Sequence, residues 1–192
     1  MKCIAILVTS VLSFLVTDSA VSQESTTVTR NAPPGLNAPA RVGRYTRGPI
    51  RDYGTPELGV AYQYSPGDST RATVYFYQRD KTVRNAAPET ALREQANTFK
   101  QALEVERARG VYEDYTIAFE GPDSISVEGR MIPGYQVGYA FRRGTTYVSF
   151  FFLYAVGDAF VKVRGTVPES HWEATDIRSF ARDVVARAIT AP

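Results

Sequence analysis

The sequence predicts an α+β fold: a single domain with a mainly antiparallel sheet of about six to seven strands, in the order ββ-α-ββ-βββ-α, flanked by two helices. Three observations predict it. Aromatic and β-branched residues recur with period two in several short runs bounded by turn residues. Two longer stretches carry apolar residues at spacings of three and four, the helical period. The last three strand runs follow one another across tight turns, as in a meander, with no helix between them to make a parallel crossover.

The chain opens "MKCIAILVTSVLSFLVTDSAVSQES". Lys2 precedes an apolar stretch from Cys3 to Val16, and Ala20-Val21-Ser22 offers small residues where a signal peptidase reads. The apolar stretch falls short of the roughly 20 residues that span a bilayer as a helix. Residues 1–22 are therefore expected to be a signal peptide cleaved after Ser22, so that the mature chain is periplasmic or secreted and has no transmembrane span. Residues 23–56 hold Pro33, Pro34, Pro39, Pro49 and Pro56 with glycines interleaved and few large aliphatics. Such a composition buries too little surface to offset ordering entropy, so a basic leader, disordered to about Val42, is expected. Its second half could dock through Tyr45, Ile50 and Tyr53.

The globular domain is expected over residues 57–192. "LGVAYQY" (Leu58–Tyr64) and "RATVYFYQ" (Arg71–Gln78) flank the turn cluster "SPGDS" and form a hairpin. A helix follows over Pro88–Arg109, with Leu92, Ala96, Phe99 and Leu103 as its stripe. Pro88 suits its first turn, Glu89 and Arg107 complement its dipole, and Gly110 ends it. Tyr115–Glu120 and Ser124–Arg130 are expected as separate strands. The last helix spans Glu173–Ile189, with Ser170 and Glu173 in a capping-box pattern and Ile177, Phe180, Val184 and Ala188 on its inner face.

The meander contains "TYVSFFFLYA" (Thr146–Ala155), the most apolar run after the first twenty residues. With two-residue turns at Arg143-Gly144 and Gly157-Asp158, Phe141 faces Thr146, Tyr139 faces Val148 and Val137 faces Phe150. Beyond the second turn, Tyr154 faces Val161 and Phe152 faces Val163. This register predicts one wholly apolar face of Val137, Tyr139, Phe141, Val148, Phe150, Phe152, Tyr154, Val161 and Val163. It leaves a mixed face with Gln136, Gly138, Ala140, Tyr147, Ser149, Phe151, Leu153, Lys162 and Arg164. The small residues there, with Gly59 and Ala61, leave room for a helix, the leader or a ligand.

Composition excludes several chemistries. Cys3 is the only cysteine, so a chain cleaved after Ser22 has neither a disulfide nor a thiolate-held metal. His171 is the only histidine, which excludes multi-histidine zinc sites. Neither a phosphate-cradling glycine loop nor a G-x-S-x-G elbow occurs. No metal, cofactor or catalytic residue is expected. Glu113-Asp114 read as solvated loop acids, and His171 as part of a helix cap. A net charge of +2 is too small to imply a nucleic-acid partner. Arginine outnumbers lysine 18 to 4, which suits carboxylate or phosphate recognition but also follows from a GC-rich genome. Twelve tyrosines invite carbohydrate stacking, but most fall at alternate strand positions where packing explains them; Tyr75, Tyr77 and Tyr147 are the exceptions.

The closing strand "DAFVKVRGTVP" followed by "IRSFARDVVARAI" resembles the ending of uncharacterised exported proteobacterial proteins with the Mog1/PsbP-like fold, and the likeness extends over Leu58–Ile189. It implies an antiparallel sheet flanked by helices and a non-enzymatic accessory or binding role, and carries over no functional residue. The expected function is thus that of a secreted or periplasmic accessory or binding protein, its partner an envelope protein or a small molecule. The alternatives are an envelope-polymer hydrolase using acidic residues, and a small-ligand carrier using Tyr147, Phe151, Lys162 and Arg164 on the mixed face. Sequencing the amino terminus of the exported chain is expected to read from Gln23; a chain retained in the membrane and beginning at Met1 would show an uncleaved anchor.

Overall fold

The structure, a computed structural model, describes residues 32–67, 70–80, 86–171 and 174–190. The expected signal peptide, and Glu173 of the expected capping box, lie outside these residues.

An eight-stranded antiparallel sheet carries the fold. Its strands are β1 (Arg41–Val42), β2 (Tyr45–Asp52), β3 (Val60–Ser65), β4 (Arg71–Gln78), β5 (Asp114–Val127), β6 (Arg130–Arg143), β7 (Thr145–Val156) and β8 (Ala159–Pro168). They lie in the order β1-β2-β3-β4-β8-β7-β6-β5. Helix α1 (Pro88–Ala108) joins β4 to β5, and α2 (Ala174–Thr190) follows β8. No helix among the described residues is long and apolar enough to cross a membrane.

Both ends of the first helix fall where the sequence predicts them. Pro88 and Glu89 open α1, and Gly110 at φ 74° closes it, its amide donating to the Arg107 carbonyl at 2.9 Å. A side chain would be strained at that φ, which is why glycine ends the helix.

The strand count differs from the expected six to seven through two changes of opposite sign. The stretch expected to be a leader supplies β1 and β2 to the same sheet. Within it Leu36, Val42 and Tyr45 are buried, Tyr45 packing at a tilt against Phe180 of α2 with 4.3 Å between ring centroids. The Tyr64 hydroxyl donates to the Pro39 carbonyl at 2.6 Å, and the Asn37 amide donates to the Ala188 carbonyl at the end of α2. A few aromatic and aliphatic anchors thus hold a segment whose overall composition is poor in them. Pro49 fits because the ladder is interrupted there, between Arg47 and Ile50. In the other direction, the two strands expected at Tyr115–Glu120 and Ser124–Arg130 are one strand, β5, of 14 residues.

The second turn of the meander has the expected register: Tyr154 pairs with Val161 and Phe152 with Val163. The first is displaced by one residue. Arg143 pairs with Thr145 around Gly144 alone, so Phe141 faces Tyr147, Ala140 faces Val148 and Gly138 faces Phe150. Because side chains alternate, this shift moves Val137, Tyr139 and Phe141 to the opposite side of the sheet from Phe150, Phe152 and Tyr154. The reason lies in what each helix needs beneath it. Tyr139 and Phe141 pack with Leu103 and Tyr112, and Val137 packs with Leu92 and Ala96 of α1. In the expected register α1 would have met Gly138 and Ala140 instead.

Two cores result. On the α2 face, Ile177, Phe180, Ala181, Val184, Val185 and Ala188 meet Tyr64, Val74, Phe76, Phe150, Phe152, Tyr154, Val161 and Val163. On the α1 face, Ala91, Leu92 and Ala96 cover Phe151, Leu153, Val137 and Phe160. The room expected beside Gly138 and Gly59 is taken up from within the fold, whereas Ala61 faces an open groove. At Gly138 a Cβ would strike the Phe119 ring, and at Gly165 it would lie 2.7 Å from the Ile177 side chain. A bulge between Ile117 and Phe119 switches β5 from one face to the other, sending Ile117 to the α1 side and Phe119 to the α2 side.

Phe180 packs against both Tyr45 and Tyr64 and so anchors the α2 core at its β2–β3 end. Phe180→Ala is expected to destabilise the chain by about 3–5 kcal/mol, and Gly165→Val to destabilise it by forcing α2 off the sheet. Urea denaturation followed by circular dichroism measures both.

Candidate ligand-binding groove

Helix α1 covers only part of its face. Beside it, the sheet carries a groove of about 950 Å³ that crosses β2, β3, β4, β8, β7 and β6 in their spatial order. Alternation places both residues of every second cross-strand pair on this side. The groove therefore receives Arg51 from β2, Ala61 and Gln63 from β3, Arg71, Thr73 and Tyr75 from β4, and Arg164 and Thr166 from β8. Tyr147 of β7, Phe141 and Arg143 of β6, and Tyr112 from the connection after α1 close the far end. Four arginines and four tyrosines line it, counting Tyr53, and no Asp or Glu is among the described lining residues.

Arg164 is the most firmly held cation. Its Nη2 donates to the Tyr139 hydroxyl at 2.9 Å and to the Tyr112 hydroxyl at 3.2 Å. Both acceptors are uncharged phenols, so the guanidinium is oriented without being neutralised. Its fixed planar fork is suited to receiving a carboxylate or phosphate in two parallel hydrogen bonds. Beneath it, the buried Ser149 hydroxyl is satisfied by the Gly165 carbonyl at 3.0 Å and by Thr166 Oγ1 at 2.9 Å, which keeps the floor rigid.

Lys162 lies two residues along β8 on the same side, its Nζ 4.1 Å from the centre of the Tyr75 ring and 5.5 Å from that of Tyr77. Burial, and secondarily the charge of Arg164, push its pKa down to about 8. Burial likewise pushes Tyr75 up to about 12, so its ring is neutral at ordinary pH and presents a π face to the ammonium. Two cations on one face with no described carboxylate between them form a site in which positive charge is already in place.

Of the residues expected on the mixed face, the structure brings Tyr147 and Arg164 together in the groove. Phe151 does not join them: it is buried under α1, stacked on Phe99 at 4.3 Å. Lys162 sits between the groove and α1, against Tyr75. Tyr75 and Tyr147 line the groove, whereas Tyr77 donates to Gln95 of α1 at 3.4 Å. In the sequence Arg51 reads only as part of a basic arm, with Arg41, Arg44 and Arg47; Arg71, Arg143, Tyr112 and Thr73 were not singled out. Thr73 and Tyr75 alternate with Ala72, Val74 and Phe76, and that polar parity is the signal that could have found this wall of the site.

The acids considered for catalysis lie elsewhere. Glu113 is exposed, pairing with Arg142 at 2.8 Å and accepting from the Gly144 amide at 2.9 Å. Asp114 accepts from the amide of Tyr115 at 2.8 Å. His171 is exposed, its Nδ1 3.0 Å from the Ser170 hydroxyl. Among the described residues no group of three or more His, Cys, Asp or Glu could hold a metal ion.

No protein-family model matches the chain, and no curated protein sequence matches it. Solved structures with a fold-level resemblance include cyanobacterial PsbP from Synechocystis, 9% identical, with a TM-score of 0.45 over 74% of this chain and 79% of that one. A protein from Bacteroides thetaiotaomicron is 13% identical with a TM-score of 0.42, matching 80% of this chain but only 45% of that protein's length. A Pseudomonas aeruginosa protein of unknown function is 11% identical with a TM-score of 0.33, over 67% of this chain and 85% of its own. The resemblance to the PsbP-like fold is weak and general, and the groove is argued from this chain's own residues.

The depressed pKa of Lys162 has a consequence for stability. Between about pH 8 and its ordinary 10.5 the unfolded chain holds a proton there that the folded chain has lost, so this residue's contribution to stability rises with pH through that window. Below pH 8 the folded chain carries the full cost of the enclosed charge. The difference in Tm between wild type and Lys162→Met, measured by thermal denaturation in a pH series, is expected to favour the variant most at neutral pH and to shrink towards pH 10.5. A difference independent of pH would show that Lys162 stays charged at no cost.

Proposed function

We propose that this chain is a secreted or periplasmic, non-enzymatic binding protein, and that its ligand is a small anionic molecule seated in the groove on the α1 face. One observation carries the reading: four arginines line the groove with no described carboxylate among them, and Arg164 is aimed by two neutral phenols. Fixed positive charge in a partly desolvated cleft costs free energy until an anion arrives, and a hydrogen bond to a charged group contributes about 1.5–3 kcal/mol. The tyrosine rings add apolar area and stacking surface for the body of the ligand. Concave shape, aromatic walls and a few aimed polar groups are the ordinary make-up of small-molecule sites.

A binding role also accords with the positions of the reactive groups. Glu113 and Asp114 are engaged at the β6–β7 turn and at the start of β5, and His171 is exposed beyond β8. Export follows from the layout of the first 22 residues and is part of the same proposal.

A matched pair of ligands tests it: phenyl glucuronide and phenyl glucoside differ in a carboxylate on the same body. Isothermal titration is expected to show the glucuronide binding at least about tenfold more tightly, equivalent to about 1.4 kcal/mol. Arg164→Gln is expected to abolish that preference and Arg164→Lys to restore part of it, since lysine keeps the charge but not the fork. Equal affinity for the two, or no binding of either, would overturn the proposal.

A further inference from the structure

The groove is long as well as basic. It crosses six adjacent strands, and five spacings of about 4.8 Å make it roughly 24 Å wide from β2 to β6. The cations are spread along that length. Arg51 stands on β2 at one end, Arg71 and Arg164 on the neighbouring β4 and β8 in the middle, and Arg143 at the β6 end. A single carboxylate or phosphate cannot bridge Arg51 and Arg143. Between the cations lie the rings of Tyr75 and Tyr147 and the hydroxyls of Thr73 and Thr166.

We propose that the groove holds a linear acidic oligosaccharide, a run of uronic-acid units laid across the strands. Each such unit brings a carboxylate for an arginine, hydroxyls for the threonines and a ring face that stacks on tyrosine. The inference rests on the anion-site reading above and extends it from one charge to a chain of them.

The surface disfavours other polyanions. The groove lies on the face of the sheet, where β3, β4, β8, β7 and β6 have neighbours on both sides, so their ladders use the backbone groups that an extended acidic peptide would pair with. Of the groove's strands only β2, paired with β1 at Tyr45 and Thr46 alone among the described residues, has an open edge along Arg51. Recognition across the other five falls to side chains alone. A single-stranded nucleic acid also uses cations and aromatic rings, but a net charge of +2 gives little of the long-range attraction that phosphate-backbone binders rely on. An oligouronate needs only the local complement, one cation for each acidic unit along the groove.

Titration calorimetry of the full chain with galacturonate oligomers, from dimer to hexamer, tests this. Affinity is expected to rise by about tenfold or more from dimer to tetramer as further arginines are engaged, and then to level off once the groove is filled. Arg51→Gln and Arg143→Gln, both at exposed positions, are expected to flatten that dependence on length, with Tm confirming that each variant folds. If phenyl glucuronide binds but the tetramer is no tighter than the dimer, the oligosaccharide inference is overturned and the single-anion site survives. If neither binds, both fall. Tetraglutamate or tetrathymidylate binding as tightly as the uronate tetramer would also overturn it, because charge alone would then explain the affinity.

Discussion

Everything in this fold depends on β7 being buried on both sides. Phe150, Phe152 and Tyr154 point to α2 while Phe151 and Leu153 point to α1, and all five are 2% exposed or less. A strand covered on one face reads as alternating apolar and polar residues; one covered on both reads as a continuous apolar run. At about 1.5–3 kcal/mol for each large side chain removed from water, this strand is a main source of cohesion between the two layers. Each neighbouring strand has to present the right parity to the right helix. That requirement selects the tight turn at Gly144, places Val137, Tyr139 and Phe141 under α1, and leaves the glycines of β6 to face aromatic rings on the other side.

The groove follows from unequal coverage. The α2 core extends from Tyr45 and Tyr64 near one edge of the sheet to Ile125 and Val127 at the other. On the opposite face α1 lies over β6, β7 and the adjoining part of β8, meeting Val137, Phe151 and Phe160, and the outer strands beyond it receive no helix. The side chains of that uncovered area are those expected at a wetted surface: arginine, threonine, glutamine and tyrosine. Tyr139 and Tyr112 mediate between the two regions, packing in the α1 core with their rings and holding Arg164 at the groove with their hydroxyls. Cohesion and binding geometry therefore share residues, and the orientation of Arg164 is tied to the seating of α1.

Lys162 marks the boundary. Its ammonium is enclosed by the Tyr75 and Tyr77 rings rather than by a carboxylate, an arrangement that weakens its hold on a proton and makes the charge costly to keep. With no carboxylate beside it among the described residues, this part-buried cation adds to the field of the cleft without offering a second strong hydrogen-bonding fork. It supports the charge of the groove from behind while Arg164 presents the donors.

Much of this architecture was legible in local sequence. The α+β class, both helices with their stripes, the two ends of α1, the β3–β4 hairpin and the β7–β8 register all follow from periodicities and turn residues, signals that neighbouring residues carry among themselves. What the tertiary structure alone decided depends on distant partners. The Pro/Gly-rich stretch became two strands because Tyr45 and Leu36 found α2 and the core beneath it. The β6–β7 register moved by one residue because α1 required aromatic rings under Leu103, and either parity of "YQVGYAF" looks acceptable until a helix lies over it. The groove likewise joins Arg51, Arg71, Arg143 and Arg164 from four strands far apart in the chain, gathered by a strand order that no local pattern encodes.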